Sequence, residues 1–156
     1  DLDIKNKNIL LIGAGGIGTT LSHYFLTEGV KKVRIHDVNK KKSKQLCEII
    51  RNKSPKFNFK IWNYNKNNFD YLINASPAGI NNEYPVHQKI IKNSKVVVDF
   101  VLSNKKTKLL ELAKKNNSKI ISGYEILINQ IPFMLKFFGF KSLSKLELDK
   151  IKNQYI

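Results

Sequence analysis

Residues 8–18, NILLIGAGGIG, join a short apolar run to a glycine-rich turn, and this segment decides the fold. The run over 8–12 lies between polar residues and glycines, which is typical of a strand buried on both faces. Apolar residues then recur at helical spacing: Ile17, Leu21, Tyr24 and Phe25. They predict a helix over 16–28, and Gly29 stands where a C-terminal cap belongs.

Strands and helices continue to alternate along the chain. Further strands are predicted at 33–36, 57–62, 70–74, 95–99 and 119–121. Further helices are predicted at 40–53, 106–116 and 124–138, the first with Leu46, Ile49 and Ile50 on its apolar side and the last kinked or interrupted by Pro132. This alternation predicts an α/β fold, a doubly wound parallel sheet of about six strands with helices on both faces.

The glycine-rich turn matches the G-x-G-x-x-G fingerprint over Gly13, Ala14, Gly15, Gly16, Ile17 and Gly18. Its place between a predicted strand and a predicted helix is the context in which the fingerprint binds a dinucleotide. Gly13 allows the tight turn, Gly15 lets the backbone approach a diphosphate, and Gly18 lets helix and strand pack closely. The helix N-terminus offers free N–H groups to the phosphates. The alternative is a structural turn that binds nothing.

Asp37 ends the second predicted strand, 19 residues beyond Gly18. A carboxylate there can accept hydrogen bonds from the ribose hydroxyls of an adenosine and repels a 2′-phosphate, which favours NAD. The three lysines over 40–42 could instead clamp a phosphate and favour NADP. Val38, rather than an arginine, follows Asp37, and this residue also favours NAD.

Composition excludes several classes of protein. The chain has 156 residues, with 42% hydrophobic and 26% charged residues, which is globular rather than disordered. Its 28 basic against 12 acidic residues give a net charge of +16, but all except Arg34 and Arg51 are lysines. Nucleic-acid binding is therefore disfavoured, because phosphate and base recognition prefer the guanidinium group. We expect solvated lysines instead.

The numbers and spacing of cysteine and histidine indicate the cellular compartment and whether a metal site is present. Cys47 is the one cysteine and cannot form an internal disulfide, and the chain opens with no basic and apolar leader, so a reducing cytoplasm is expected. No apolar run approaches the ~20 residues of a membrane span. His23, His36 and His87 lack the spacing of a metal site, so no metal is expected.

Aromatic residues at helical spacing near the end of the chain predict core packing or a partner surface: Phe133, Phe137 and Phe138.

Several segments together resemble the C-terminal nucleotide-binding domain of shikimate and quinate dehydrogenases, over about residues 8–139. The segments are the glycine turn, the stretch NASPAG at 74–79, Asp99 followed by KTKLL at 106–110, and Gly123 followed seven residues on by Gln130. The resemblance implies that Asn74, Ala75 and Ser76 lie along the cofactor. It also implies that Phe100 and Gly123 lie beside the nicotinamide, and that Gln130 hydrogen-bonds the hydroxyl groups of a cyclohexene acid.

Departures from the family pattern concern cofactor and substrate. NADP-using members have Asn-Arg-Thr where this chain has Asp37-Val38-Asn39, whereas the NAD-using quinate branch is closer to the latter. Leu102 stands where a substrate-contacting tyrosine is usual, and Ser122 and Glu125 replace an Asp and a Gly, so the exact substrate stays open.

The expected organisation is one dinucleotide-binding domain over 1–156, with 140–156 as a charged helix or tail. The family's catalytic Lys and Asp belong to an N-terminal substrate domain that residues before Asn8 cannot supply. No catalytic residue is therefore assigned, and the chain alone is expected to bind cofactor with little turnover. The alternatives are a stand-alone NAD-binding regulatory module and the nucleotide domain of a related reductase, such as glutamyl-tRNA reductase. A homodimer is left open.

Overall fold

This computed structural model describes residues 3–65, 68–103 and 105–155. Six strands form one parallel sheet: β1 (Asn8–Ile12), β2 (Lys32–His36), β3 (Phe59–Ile61), β4 (Phe69–Asn74), β5 (Ser94–Asp99) and β6 (Lys119–Ile121). Six helices accompany them: α1 (Gly16–Thr27), α2 (Lys40–Lys53), α3 (Gln88–Lys92), α4 (Lys108–Lys115), α5 (Gly123–Phe137) and α6 (Lys145–Tyr155). The predicted alternation of strands and helices is confirmed.

The strand order is β3-β2-β1-β4-β5-β6, and all neighbouring strands are parallel. The chain moves outward from β1 in one direction, then returns and moves outward in the other. The order therefore reverses between β1 and β4. In open α/β sheets a ligand binds in the crevice at such a reversal, outside the carboxyl ends of the strands.

Two apolar clusters bury the two faces of the sheet. On one face α1 and α2 pack through Phe25, Leu46 and Ile50 against β1, β2 and β4. On the other face α3 and α4 pack against β1, β4 and β5, with Ile91 and Leu109 fully buried. Strands β1, β4 and β5 contribute alternate residues to the two clusters, as the period of two in a strand requires. The helices on both faces confirm the doubly wound architecture.

The buried stripes of α1 and α2 include small residues as well as apolar ones. Gly18, Ser22 and Phe25 are the buried residues of α1, whereas Ile17 and Tyr24 are 45% and 51% exposed. Small residues let α1 approach the sheet closely, so its contact face is not its most apolar one. In α2 the predicted Ile49 is 46% exposed, because it lies at the edge of the buried stripe. That stripe is formed by Ser43, Leu46, Cys47 and Ile50.

The far end of the chain departs most from expectation. Phe133, Phe137 and Phe138 on α5 and just after it are 75%, 83% and 64% exposed. Of the two predicted alternatives, core packing is therefore wrong for them, and a partner surface stays a prediction. The chain continues into α6, which forms a helix rather than a tail over the described residues. The two C-terminal helices contact each other. No helix among the described residues has both the length and the apolar character needed to span a bilayer.

Candidate functional site

The glycine turn after β1 is shaped by close backbone contacts. Gly13 has φ +98°, a conformation that favours glycine, and a Cβ there would lie 2.6 Å from the carbonyl oxygen of Ala75. Its N–H donates to the carbonyl of His36 at 2.7 Å. A Cβ on Gly18 would lie 2.0 Å from the carbonyl oxygen of Gly13. The first and last glycines of the fingerprint are therefore required by the packing of the turn itself.

The middle glycines leave open space at the start of α1. A Cβ on Gly15 or Gly16 would meet no atom within 4 Å. Gly15 is the N-cap of α1, and no side chain among the described residues caps this helix. The first N–H groups of a helix have no partner within the helix, and they carry a positive partial charge. An anionic group can thus approach this backbone directly.

Asp37 connects the end of β2 to the glycine turn. Its Oδ2 accepts a hydrogen bond from the N–H of Ala14 at 2.7 Å, and its Oδ1 accepts one from the N–H of Asn39 at 2.8 Å. Asn39 in turn caps α2 by accepting from the N–H of Lys41. A carboxylate oxygen can accept more than one hydrogen bond, so the side chain remains able to bind a hydroxyl group.

A cavity of about 280 Å³ lies between the three loops that follow β1, β2 and β4. It contains six of the predicted cofactor residues: Gly13, Gly15, Asp37, Val38, Ala75 and Ser76. Other residues of its wall include His36, Lys42 and Pro85. Lys42 belongs to the lysine triplet that could clamp a phosphate, whereas no local pattern in the sequence identifies His36 or Pro85 as part of this wall.

His36 joins the cavity to a small aromatic cluster. The Tyr64 hydroxyl lies 3.0 Å from Nδ1 of His36, and the Tyr64 ring packs on Trp62 with centroids 4.5 Å apart. Burial lowers the pKa of His36, and the Asp37 carboxylate partly offsets this effect. The imidazole is therefore neutral at physiological pH. The charged groups at this end of the cavity are the Asp37 carboxylate and the Lys42 ammonium.

The loop after β4 is held by side chains within it. Asn74 is fully buried, and its amide donates to the carbonyl of Ala78 at 2.8 Å. Its Oδ1 accepts from the hydroxyl of Ser76 at 2.6 Å. Asn74 therefore shapes the loop from beneath, whereas Ala75 and Ser76 form the wall of the cavity.

The remaining predicted residues lie apart from this cavity. Ala14, Gly16 and Ile17 belong to the turn and the first turn of α1, and Gly18 packs against the turn. Phe100 lines a separate apolar groove beside α1 and α5. Gly123 begins α5 against the loop after β5, and Gln130 lies exposed on α5.

Metal ligands are not clustered in the part of the chain that the structure describes. No group of three or more His, Cys, Asp or Glu residues is close enough there to hold an ion. For recognition the cavity offers backbone N–H groups, the Asp37 carboxylate and the Lys42 ammonium group. This set suits a ligand with a diphosphate and a hydroxylated sugar.

Comparison with known proteins is in agreement with this geometry. A family model described as Shikimate / quinate 5-dehydrogenase matches residues 1–102 of the chain. Shikimate dehydrogenase (NADP(+)) of Nitrosopumilus maritimus is 32% identical in an alignment of 134 residues that covers 83% of this chain and 49% of that protein. The chain thus spans about half the length of the curated relatives it matches.

Two solved structures illustrate the similarity of fold. A shikimate dehydrogenase in complex with NADP+ is 26% identical and superposes with a TM-score of 0.75, covering 98% of this chain and 56% of that one. The quinate dehydrogenase of Corynebacterium glutamicum in complex with NAD is 20% identical with a TM-score of 0.76, again over 98% of this chain and 56% of that one.

Proposed function

Since the chain belongs to the shikimate/quinate 5-dehydrogenase family, we propose that it binds the nicotinamide dinucleotide with which such an enzyme oxidises or reduces its substrate. The observation that carries this proposal is the open backbone at Gly15 and Gly16, where no atom would meet a Cβ within 4 Å. Beside it lie the start of a helix without a side-chain cap and the Asp37 carboxylate. These groups fit a diphosphate and the adjoining ribose.

The proposed reaction is hydride transfer between the cofactor and a hydroxylated cyclohexene or cyclohexane carboxylate. When bound, the nicotinamide supplies or receives the hydride at its C4 atom. The residues of this chain bind and orient the dinucleotide. The glycine turn holds the diphosphate, Asp37 binds the adenosine ribose, and the loop after β4 contacts the nicotinamide half. Oxidation of the alcohol also releases its hydroxyl proton to a base, and we assign that base to a substrate domain of the full enzyme.

The preferred cofactor that we propose is NAD. A 2′-phosphate would bring negative charge beside the Asp37 carboxylate, and Val38 next to it offers no cation. NADP is the second candidate because Lys42 lies in the wall of the same cavity and can pair with a phosphate. The Nitrosopumilus maritimus relative, which is named for NADP(+), also favours this second candidate.

Calorimetric titration of the chain with NADH and with NADPH tests both proposals. We expect binding of both cofactors, with NADH at least several times tighter. Binding of neither would overturn the proposed function. Tighter binding of NADPH would overturn only the proposed preference for NAD. It would assign binding of the 2′-phosphate to Lys42, and titration of the Lys42→Met variant would then check this assignment.

The apolar surface of α5 supports a partner role for this end of the domain. Phe133, Phe137 and Phe138 are exposed there, together with Met134 at 47%. Contiguous exposed apolar groups of this kind mark an interface. We propose that the substrate-binding unit of the enzyme packs on them, with Gln130 of the same helix reaching the substrate. Changing Phe133 and Phe137 to Ser in the full enzyme should raise the KM for substrate while leaving the Kd for cofactor unchanged.

A further inference from the structure

A buried carboxylate stands at the end of β5, outside the residues that form the proposed cofactor cavity. Asp99 is 0% exposed and accepts three hydrogen bonds. They come from the Asn74 amide at 2.9 Å, the Thr107 hydroxyl at 2.5 Å and the Val101 N–H at 3.1 Å. Burial raises the pKa of Asp99, while these three donors oppose that effect. A buried acceptor surrounded by donors from two loops is a point at which both loops are joined.

The first loop joined to Asp99 is the one after β4. The Asn74 amide uses one N–H on Asp99 and the other on the carbonyl of Ala78. Its orientation is thereby set, with Oδ1 turned toward the N–H and hydroxyl of Ser76. Without Asp99 the amide would lose one of the two partners that fix this orientation. The positions of Ser76 and Ala78 in the cavity wall therefore depend on Asp99.

The second loop joined to Asp99 leads from β5 to α4. Thr107 is buried, donates to Asp99, and accepts from the N–H of Leu110 as the N-cap of α4. The Val101 N–H binds Asp99, while a Cβ on Gly123 would lie 2.6 Å from the carbonyl oxygen of Val101. The carboxylate thus also fixes the loop against which α5 begins.

The direction of the cofactor follows from the sheet order. Asp37, at the end of β2, is on the adenosine side of the reversal between β1 and β4. A dinucleotide that crosses this reversal places its nicotinamide half over β4 and β5. Both loops that meet at Asp99 lie on that side.

We propose that Asp99 is a positioning residue that joins the loops after β4 and β5 and thereby shapes the nicotinamide half of the site. This inference rests on the proposed function. It assigns the adenosine half mainly to Asp37 and the glycine turn, which share the cavity with the loop after β4. Loss of the Asp99 contacts should therefore weaken recognition of the nicotinamide half and leave the adenosine half intact.

Titration with NADH and with ADP-ribose separates the two halves, since ADP-ribose has the adenosine, both phosphates and a ribose but no nicotinamide. We expect Asp99→Asn and Thr107→Val to weaken NADH binding roughly tenfold, as loss of a buried hydrogen bond implies, while ADP-ribose binding changes less than twofold. Thr107→Ser retains the hydroxyl and should bind both ligands as the unchanged chain does.

Ser118→Ala is the matched control for destabilisation. It removes a hydrogen bond of 2.7 Å from the Ser118 hydroxyl to the carbonyl of Ser94, at the opposite end of β5. It should lower the thermal midpoint without changing the ratio of the two affinities. If Asp99→Asn does not fold, the comparison of Thr107→Val with Thr107→Ser tests the inference instead. Equal effects on NADH and ADP-ribose, or no effect on either, would overturn the inference alone. Failure of the unchanged chain to bind either ligand would overturn the proposed function and the inference together.

Discussion

The carboxylate of Asp37 accepts a hydrogen bond from the backbone N–H of Ala14 at 2.7 Å, so the end of β2 holds the glycine turn that follows β1. Its other oxygen accepts from the N–H of Asn39, ahead of α2. One side chain therefore shapes two loops and still faces the cavity. Its contribution to ligand binding has a structural part and a direct part, and these two parts can be separated.

The structural and direct parts are separated by measuring how Asp37→Asn affects NADH and NADPH, which differ only in the 2′-phosphate. In Asp37→Asn one carboxylate oxygen becomes an NH₂ group, which cannot accept from Ala14 or Asn39. We expect NADH binding to weaken roughly 10- to 100-fold, as for loss of hydrogen bonds to a charged group. NADPH binding should weaken less, because the repulsion of its phosphate is also removed. Calorimetry with both cofactors measures the difference.

Asp70→Asn serves as the control in the same titrations, because Asp70 lies near the amino end of β4, away from the cavity. It should leave both affinities unchanged. An equal decrease for NADH and NADPH in Asp37→Asn would mean that the carboxylate only supports the turn and does not contact the ribose.

The fingerprint glycines should divide into two classes on substitution by alanine. Gly15→Ala places its Cβ in open space at φ −83°, so the fold should lose less than about 1 kcal/mol, as for an N-cap change. The new methyl group occupies the approach to the backbone, and dinucleotide binding should fall at least tenfold. Gly18→Ala would bring Cβ within 2.0 Å of the Gly13 carbonyl oxygen. The free energy of unfolding should therefore fall by about 1–3 kcal/mol or more.

Denaturant unfolding and calorimetry together test this division. Gly16→Ala supplies the stability control, since its Cβ also meets no atom within 4 Å and alanine favours a helix. Strong destabilisation by Gly15→Ala would contradict the open space beside the backbone at this residue. Unchanged cofactor binding in Gly15→Ala would mean that the diphosphate does not bind at this turn.

Much of the fold could be predicted because the buried strands are short apolar runs with polar or glycine boundaries. The prediction for β1 is confirmed at both ends, and that for β6 likewise. Helix α3 was not predicted, since its five residues are too few to show a helical period. Apolarity alone does not identify the buried face of α1, because that face includes Gly18 and Ser22 beside Phe25.

The candidate site could be predicted where residues close in sequence carry the signal. The glycine turn and Asp37 belong to such local patterns. Pro85 reaches the cavity from the far end of the connection between β4 and α3, and no local pattern identifies it. The contacts of Asp99 depend on the pairing of β4 with β5, which aligns Asn74 with Asp99. Only the three-dimensional arrangement shows that relationship.

The thiol of Cys47 should report on the packing of α2. Burial raises its pKa to about 11, and the side chain is 5% exposed. We expect labelling by a disulfide reagent at pH 8 to be at least 100-fold slower in native buffer than in denaturant, because both access and thiolate are limited. Leu46→Ala, which leaves a cavity beside the sheet, should accelerate it. Labelling of the native chain at the unfolded rate would contradict the packing of α2.

Asp70 should make stability depend on pH in acid. Its carboxylate accepts hydrogen bonds from the Lys95 ammonium at 2.8 Å and the Asn8 N–H at 2.9 Å, and these contacts lower the pKa of Asp70 in the folded state. The folded state therefore favours the charged form. The resulting stabilisation is complete above the unfolded pKa of about 4 and is lost as the pH falls through the lower folded value.

Asp70→Asn should accordingly lower the thermal midpoint at pH 7 by about 2–4 °C, a modest shift because the Lys95 side chain is largely exposed. The difference from the unchanged chain should shrink as the pH falls below 4, where the carboxylate of the unfolded chain becomes protonated. Lys95→Gln removes the ion pair but keeps the Asn8 contact, so its smaller effect should vanish in ~1 M salt, whereas that of Asp70→Asn should persist in part. A difference that grows as the pH falls would mean that the folded state favours the protonated acid, against the contacts made by Asn8 and Lys95.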